Sequence, residues 1–171
     1  MFRLSPDYNS HLVSAYSRKG LLVDSNLLLL YFVGAYDPAR ISTFKGTNSR
    51  GFSEGDFDLL LRLIALFDKI VTTPNILTEV SNLSSQLRKD EKRTYYVDFA
   101  KHVSLFAEHY SESKDICALQ HFKDFALTDS GIINLARGSF LVLTDDGPLF
   151  GYLQNVGIDA INFNHVRDWG L

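Results

Sequence analysis

Five carboxylates stand where the predicted secondary structure changes. Asp24 and the Asp145-Asp146 pair directly follow short apolar segments, Asp129 opens a predicted helix, and Glu79 lies on a helix just beyond another apolar segment. Carboxylates that come together repel one another and raise their own pKa values. A hard divalent cation offsets that repulsion, and oxygen ligands suit Mg²⁺ or Mn²⁺. These residue types therefore permit hydrolysis of a phosphodiester with the help of one or two metal ions.

The elements that must position these acids alternate along the chain. The predicted strands are 20–23, 69–72, 140–144 and 158–163. Predicted helices begin after Asp24 with Ser25 or Asn26 as the N-cap, and cover 56–67, a segment from Pro74 capped by Thr73, 94–110, 129–137 capped by Thr128, and 149–155. Short, continuously apolar strands alternating with helices predict an α/β fold, in which helices cover both faces of a central parallel sheet in three α/β/α layers. The carboxyl ends of parallel strands share one edge, so the acids are expected to meet there.

A long polar loop is predicted between about residues 36 and 55, because this segment is rich in glycine and polar side chains. Loops of this length inside one domain are uncommon and often functional. The basic residues Arg40, Lys45 and Arg50 stand there with Phe44 and Phe52, a mixture that could bind RNA by phosphate contact and stacking. An ordinary solvated loop is the interpretation that the sequence favours.

The whole chain sets the broad class. With 171 residues and 46% hydrophobic content, residues 1–171 are expected to form one domain with a sizeable core. A net charge of -3 argues against a protein held to nucleic acid by a broad basic surface. The single cysteine, Cys117, cannot form an intrachain disulfide and is expected to be a small buried residue.

The sequence contains neither a recognisable targeting segment nor the motifs of several other enzyme classes. Residues 1–19 are polar and lack the apolar stretch of a signal peptide, and the apolar run 27–36 is too short to cross a bilayer, so a cytoplasmic protein without membrane partners is expected. Glycine loops that bind phosphate, nucleophile elbows and dinucleotide fingerprints are missing as well, which disfavours nucleotide switches and serine hydrolases.

Four segments together carry a resemblance to a known family. They are Val23-Asp24-Ser25-Asn26, Thr73-Pro74-Asn75-Ile76-Leu77-Thr78-Glu79-Val80, Leu127-Thr128-Asp129-Ser130-Gly131-Ile132 and Leu141-Val142-Leu143-Thr144-Asp145-Asp146. In this order and context the set resembles the PIN-domain ribonucleases. The resemblance implies a PIN-like domain whose acids hold Mg²⁺ or Mn²⁺ and cleave RNA. Bacterial toxin–antitoxin ribonucleases are the nearest subgroup, which implies an inhibitory antitoxin protein and a homodimer as further partners.

The resemblance also assigns residues to the site. Asp24 matches the first acid of the family, Glu79 the second and Asp129 the third. The threonine-any-aspartate pattern that starts at Thr144 favours Asp146 as the fourth acid, with adjacent Asp145 as the alternative. Around the acids, Ser25 keeps a hydroxyl that could bind a ligand water or a neighbouring carboxylate, and Asn26 matches the family's usual residue.

Two other classes of function remain as alternatives. One is a catalytically silent PIN-like module that binds or scaffolds other molecules, and retention of all four acids counts against it. The other is a phosphohydrolase of small phosphoesters in which Asp24 is a covalent nucleophile. Such enzymes usually carry a second aspartate two residues later, where this chain has Asn26.

Overall fold

A parallel sheet forms the centre of the computed structural model, which describes residues 6–168. Within these residues the strands are β1 Leu21–Val23, β2 Ile70–Thr72, β3 Ala107–Glu108, β4 Leu141–Thr144 and β5 Ala160–Asn162. They lie in the order β3-β2-β1-β4-β5, and every neighbouring pair is parallel. The expected α/β class with a parallel sheet is confirmed.

Ten α-helices connect and cover the strands in this part of the chain. They are α1 Pro6–Tyr16, α2 Ser25–Tyr36, α3 Lys45–Asn48, α4 Glu54–Ile64, α5 Pro74–Ser84, α6 Lys89–Val103, α7 Ser113–Cys117, α8 Phe122–Ala136, α9 Gly147–Asn155 and α10 Phe163–Asp168. The arrangement is compatible with three α/β/α layers. The first five and last three residues of the predicted domain 1–171 lie outside the described residues, as does the beginning of the N-terminal stretch 1–19.

The core explains the most apolar run of the sequence. Strands β1 and β4 lie in the middle of the sheet and are buried along their whole length. Helix α2 follows β1 directly, and residues 27–30 are at most 1% exposed. It packs against α4, α5 and α6, so nearly all of its surface faces other elements. No helix of residues 6–168 is long and apolar enough to cross a membrane.

The strand order reverses between β1 and β4. From β1 the chain proceeds outward to β2 and β3, and it then returns to the other side of β1 to form β4 and β5. Leu21 pairs with Leu141 and Val23 with Leu143, so these two strands end side by side. In open parallel sheets, such a switch point leaves a crevice at the carboxyl ends of the strands, where ligands usually bind.

The predicted loop at 36–55 is wrong in part, because the connection between α2 and α4 is ordered. It runs from residue 37 to 53 and contains a 3₁₀-helix, Pro38–Arg40, in addition to α3. Ile41, Phe44 and Phe52 are buried in the core, and the Thr47 hydroxyl donates to the Ile41 carbonyl at 2.6 Å. Apolar side chains spaced three to eight residues apart thus hold a segment whose composition looked polar.

Several smaller predictions were also wrong. Strand β3 was not predicted, because its two residues fall within the predicted helix 94–110. Helix α6 begins five residues before the predicted start and ends at Val103 instead of residue 110. Cys117 is exposed and not buried.

Candidate functional site

The four acids predicted from the sequence line one small pocket at the switch point. Its volume is about 130 Å³. The lining residues are Asp24, Ser25, Asn26, Arg50, Glu79, Asp129 and Asp146. They come from the end of β1 and start of α2, the 37–53 connector, α5, α8 and the end of β4. Residues far apart in sequence therefore contribute carboxylates to a single cavity.

Asp24 is the most enclosed of these acids, with 4% of its surface exposed. One carboxylate oxygen, Oδ1, accepts a hydrogen bond from the Leu27 amide at 3.0 Å, which makes Asp24 the N-cap of α2 in place of the predicted Ser25 or Asn26. The other, Oδ2, accepts from the Thr144 hydroxyl and from the Asp145 amide. Burial first, and then the charge of Asp145, raise the pKa of Asp24 from 3.8 to about 7.

Thr144 links the ends of the two central strands. Its fully buried hydroxyl donates to Asp24 and accepts from the Asp146 amide at 2.9 Å. Asp146 in turn is the N-cap of α9, because its Oδ1 accepts from the Leu149 amide at 2.7 Å. The Thr144 hydroxyl therefore helps to orient both Asp24 and Asp146, which an apolar side chain of the same shape could not do.

Asp145 and Asp146 differ in their surroundings. Asp146 lines the acidic pocket, whereas Asp145 does not. The Asp145 carboxylate accepts hydrogen bonds from Asn26 Nδ2 at 3.0 Å and from Arg50 Nη1 at 3.1 Å. The Asn164 amide group also donates to the Asp145 backbone carbonyl at 2.9 Å. Asp145 thus fixes the wall of the pocket, and Asp146 faces its interior.

Glu79 and Ser25, which both line the pocket, are joined by a hydrogen bond. Glu79 is exposed on α5, and its Oε2 accepts from the Ser25 hydroxyl at 2.9 Å. Thr73 caps α5 as predicted, with its hydroxyl accepting from the Ile76 amide at 3.3 Å, and Pro74 occupies the first turn. The cap sets where the helix begins, and this places Glu79 about one and a half turns into the helix, beside the start of α2.

Asp129 reaches the pocket from a broken helix. The backbone of α8 leaves helical geometry at Ala126, with φ 54° and ψ −160°, and becomes helical again at Leu127. The predicted start at Asp129 with Thr128 as cap was therefore wrong, because Thr128 already lies inside the helix. Partial burial, followed by the charges of Asp146 and Glu79, raises the pKa of Asp129 from 3.8 to about 6. The three acids thus share one electrostatic environment.

The three predicted basic residues occupy different places. Arg50 lines the acidic pocket and pairs with Asp145. Lys45 is exposed in an adjoining pocket of about 210 Å³ that also includes Arg50, Asn26 and Glu79. Arg40 is instead paired with Glu91 and with Asp37, and it lines a separate cavity together with Lys45. Arg50 and Lys45 are therefore the cations next to the acids.

The acids fit a metal ion by chemistry but do not form a closed ligand set. Within residues 6–168, no three Asp, Glu, His or Cys side chains are grouped closely enough to hold one ion as they stand. Both oxygens of Asp24, one of Asp146 and one of Glu79 accept protein hydrogen bonds. Burial first, and then neighbouring carboxylates, raise the pKa values of Asp24 and Asp129, and a hard cation such as Mg²⁺ or Mn²⁺ would offset both effects.

Sequence reasoning missed two residues that support the site. Asn164 contacts Asp145 from the segment after β5, and Arg167 donates from α10 to the Gly51 carbonyl at 2.9 Å. Arg167 also pairs with Asp56 at 2.7 Å and so ties the connector beside Arg50 to α4. Asn164 could have been found, because it follows the carboxyl end of a predicted strand. No local pattern pointed to Arg167.

Comparison with known proteins gives no relative from which a function could be transferred. No protein-family model, no curated protein and no solved structure matches the chain.

Proposed function

We propose that the protein is a metal-dependent ribonuclease with a PIN-like domain. The observation that carries the proposal is the small pocket at the switch point, into which four separate segments bring Asp24, Glu79, Asp129 and Asp146. The raised pKa values of Asp24 and Asp129 support it, because burial and neighbouring carboxylates disfavour the charge on both groups and a bound cation would favour it. The resemblance of the four sequence segments to PIN domains supplies the substrate class.

Each acid has a proposed role. Asp24 and Asp146 are the first candidates to hold Mg²⁺ or Mn²⁺, since strand ends and helix caps fix their positions. When bound, the metal neutralises charge on the phosphoryl oxygens and lowers the pKa of water. Asp129, with a pKa of about 6, is mostly ionised at neutral pH and can accept a proton from an attacking water. Glu79, held by Ser25, can orient that water.

The same pocket offers groups that can hold the substrate backbone. Arg50 is 42% exposed, and its guanidinium pairs with Asp145 at the wall of the acidic pocket. Lys45 is exposed next to it. We assign both side chains to phosphate groups that flank the cleaved bond, because guanidinium and ammonium groups bind phosphate. Arg40 is assigned no such role, since it lines a separate cavity and not the acidic pocket.

The test is cleavage of a labelled total-RNA pool by the wild type and by Asp24→Asn, with EDTA, Mg²⁺ or Mn²⁺. Asparagine preserves the size of the side chain and removes its charge. Cleavage that needs metal and falls by at least about 100-fold in the variant is expected, since metal and electrostatic terms usually contribute several kcal/mol. Asp98→Asn is the matched control, because Asp98 is paired with Lys101 on α6 and lines none of these pockets.

Metal binding should be measured on the same proteins by calorimetry. Tight Mn²⁺ binding that Asp24→Asn removes and Asp98→Asn retains would agree with the proposal. Cleavage that persists unchanged in EDTA, or in Asp24→Asn, would contradict it. An antitoxin partner, a homodimer and a cytoplasmic location stay predictions from the resemblance and the sequence, and copurification and mass measurements can test the first two.

Two observations favour the second candidate, a catalytically silent binding module. The acids of the described residues do not form a three-ligand group, and Arg50 already neutralises Asp145. In that case the purified protein would bind neither Mg²⁺ nor Mn²⁺, and no RNA in the pool would be cut. The calorimetry separates this module from a nuclease with a narrow substrate range, which would bind metal even if the pool lacked its target.

A further inference from the structure

A larger cleft opens directly beside the acidic pocket, between α5 and α8. Its volume is about 640 Å³, compared with about 130 Å³ for the acidic pocket. Sites for small organic ligands occupy roughly 300–1,000 Å³, so the cleft has a suitable size and the acidic pocket does not. Glu79 and Asp129 line both cavities. Any ligand that enters the cleft therefore lies next to the acids.

The chemistry of the cleft walls combines apolar surface with unused amide groups. Asn75 and Asn82 contribute the amide groups, and Phe125 and Leu127 contribute apolar surface. Among residues 6–168, the side-chain amides of Asn75 and Asn82 make no hydrogen bond, and Asn82 is exposed. Phe125 packs against Tyr152 with ring centroids 4.7 Å apart. A flat ligand with donors and acceptors on its edge matches these walls, because carboxamides bind such edges and aromatic rings stack on such faces.

A strained backbone forms one wall of the cleft. Ala126 is the one residue other than glycine with a positive φ within the described residues, at 54°. Its ψ of −160° places it in a region that is essentially reserved for glycine. The break separates the ring of Phe125 from the helical turn that carries Asp129. Strain of this kind persists where the surrounding structure enforces it, and it is concentrated at ligand sites.

We propose that this cleft binds one unpaired nucleobase of the RNA strand whose phosphate lies at the acidic pocket. The proposal rests on the ribonuclease function, and it adds a base-binding subsite and the groups that read the base. Phe125 and Leu127 provide the apolar contact, and Asn75 and Asn82 bind the base edge. An unpaired base is required, because a base within a duplex presents neither its face nor its pairing edge.

The test measures base binding without relying on cleavage. We would follow the amide signals of ¹⁵N-labelled protein by NMR in EDTA while adding adenosine, cytidine, guanosine or uridine. Ribose is the matched ligand without a base, and the neutral probes avoid repulsion by the metal-free acids. Shifts at residues 125–129 and at the side-chain amides of Asn75 and Asn82 are expected. At least one nucleoside should bind about tenfold more tightly than ribose, the size of one stacking contact.

Two variants separate stacking from edge recognition. Phe125→Leu keeps an apolar side chain against Tyr152 and should reduce binding of all four nucleosides by about tenfold. Asn82→Ala should reduce the differences among the nucleosides, because it removes a group that reads the base edge. Asn155→Ala is the control, since Asn155 is an exposed asparagine at the end of α9 that lines none of these cavities.

The outcomes distinguish this inference from the proposed function. Base-dependent shifts in a protein that neither binds Mg²⁺ or Mn²⁺ nor cuts RNA would support the subsite and contradict the nuclease. Metal-dependent cleavage together with equal binding of ribose and nucleosides, or with shifts away from the cleft, would support the nuclease and overturn the subsite. Equal responses of Asn82→Ala and Asn155→Ala would remove Asn82 from the base-reading groups.

Discussion

The acids that end strands and the acids carried by helices are held in different ways. Asp24 and Asp146 each cap a helix, and the Thr144 hydroxyl bonds to the Asp24 carboxylate and to the Asp146 amide. Glu79 makes one hydrogen bond, to Ser25, and Asp129 makes none among residues 6–168. The strand-end acids are therefore part of the structure of the fold. Glu79 and Asp129 make fewer hydrogen bonds, so the fold is expected to depend on them less.

This difference suggests two tasks within one site, namely stabilising the pocket and taking part in the reaction. The strand-end acids are expected to affect stability and activity together, because their hydrogen bonds would be lost with their charge. The helix-borne acids should affect activity with little effect on stability. Substitutions can therefore test whether a given carboxylate builds the pocket or only acts in it.

The largest contrast is expected between Asp24→Ala and Asp129→Ala at pH 5. Asp24→Ala removes the cap of α2 and leaves the Thr144 hydroxyl and Asp145 amide without their acceptor. A loss of about 2–4 kcal/mol in the free energy of unfolding follows. Asp129→Ala removes no hydrogen bond and should change it by less than about 1 kcal/mol. Urea denaturation in EDTA measures the free energy of unfolding of both variants. Equal losses would contradict the distinction between strand-end and helix-borne acids.

The pH dependence of stability sharpens the contrast further. The pKa of Asp24 in the folded protein is about 7, raised from 3.8, so its folded state binds the proton more tightly than its unfolded state. The resulting stability is complete below pH 3.8 and is lost as the pH rises through about 7. From pH 5 to 7, the metal-free wild type should lose about 2–3 kcal/mol relative to Asp24→Asn.

Asp129→Asn provides the comparison for this pH profile. Because the pKa of Asp129 is about 6 and the group is partly exposed, its effect should be smaller and complete about one pH unit earlier. Denaturant titrations at intervals of half a pH unit in EDTA would show the two windows. Profiles that coincide would mean that burial does not distinguish the two acids.

The smallest expected effect concerns the strained residue that precedes the Asp129 turn. Ala126→Gly should raise the free energy of unfolding by about 0.5–1 kcal/mol, because glycine adopts this backbone conformation without a steric cost. Ala100→Gly, at an exposed position inside α6, should lower it by a similar amount. Destabilisation by both substitutions would show that Ala126 is not strained and that α8 is an ordinary helix.

Sequence patterns correctly predicted the elements that depend on interactions between residues close together in the sequence. Helix α5 begins at its predicted cap because Thr73 and Pro74 act within one turn, and β4 follows from a buried apolar run. The same patterns placed all four acids at the carboxyl edge of a parallel sheet, and the structure brings them to one pocket. The position of each acid relative to the predicted strands and helices was enough for this prediction, because the carboxyl ends of parallel strands share one edge of the sheet.

Features that depend on contacts between residues far apart in the sequence could not be predicted from local patterns. The connector is ordered because Ile41, Phe44 and Phe52 pack into a core that its composition does not reveal. The separate orientations of Asp145 and Asp146 depend on Asn26, Arg50 and Asn164, which come from three other segments. The break at Ala126 has no turn residue to mark it. Tertiary contacts override local preference in each case.

The hydrogen bond between Thr144 and Asp24 joins residues 120 positions apart. Pairing of β1 with β4 must close that length of chain, and contacts over such distances form slowly because closure costs entropy. A nascent chain on the ribosome that has not yet delivered β4 lacks Asp145 and Asp146. Under the proposed function, the acidic pocket would be complete only after β4 has been synthesised and has paired with β1, so a chain that lacks β4 should not cleave RNA.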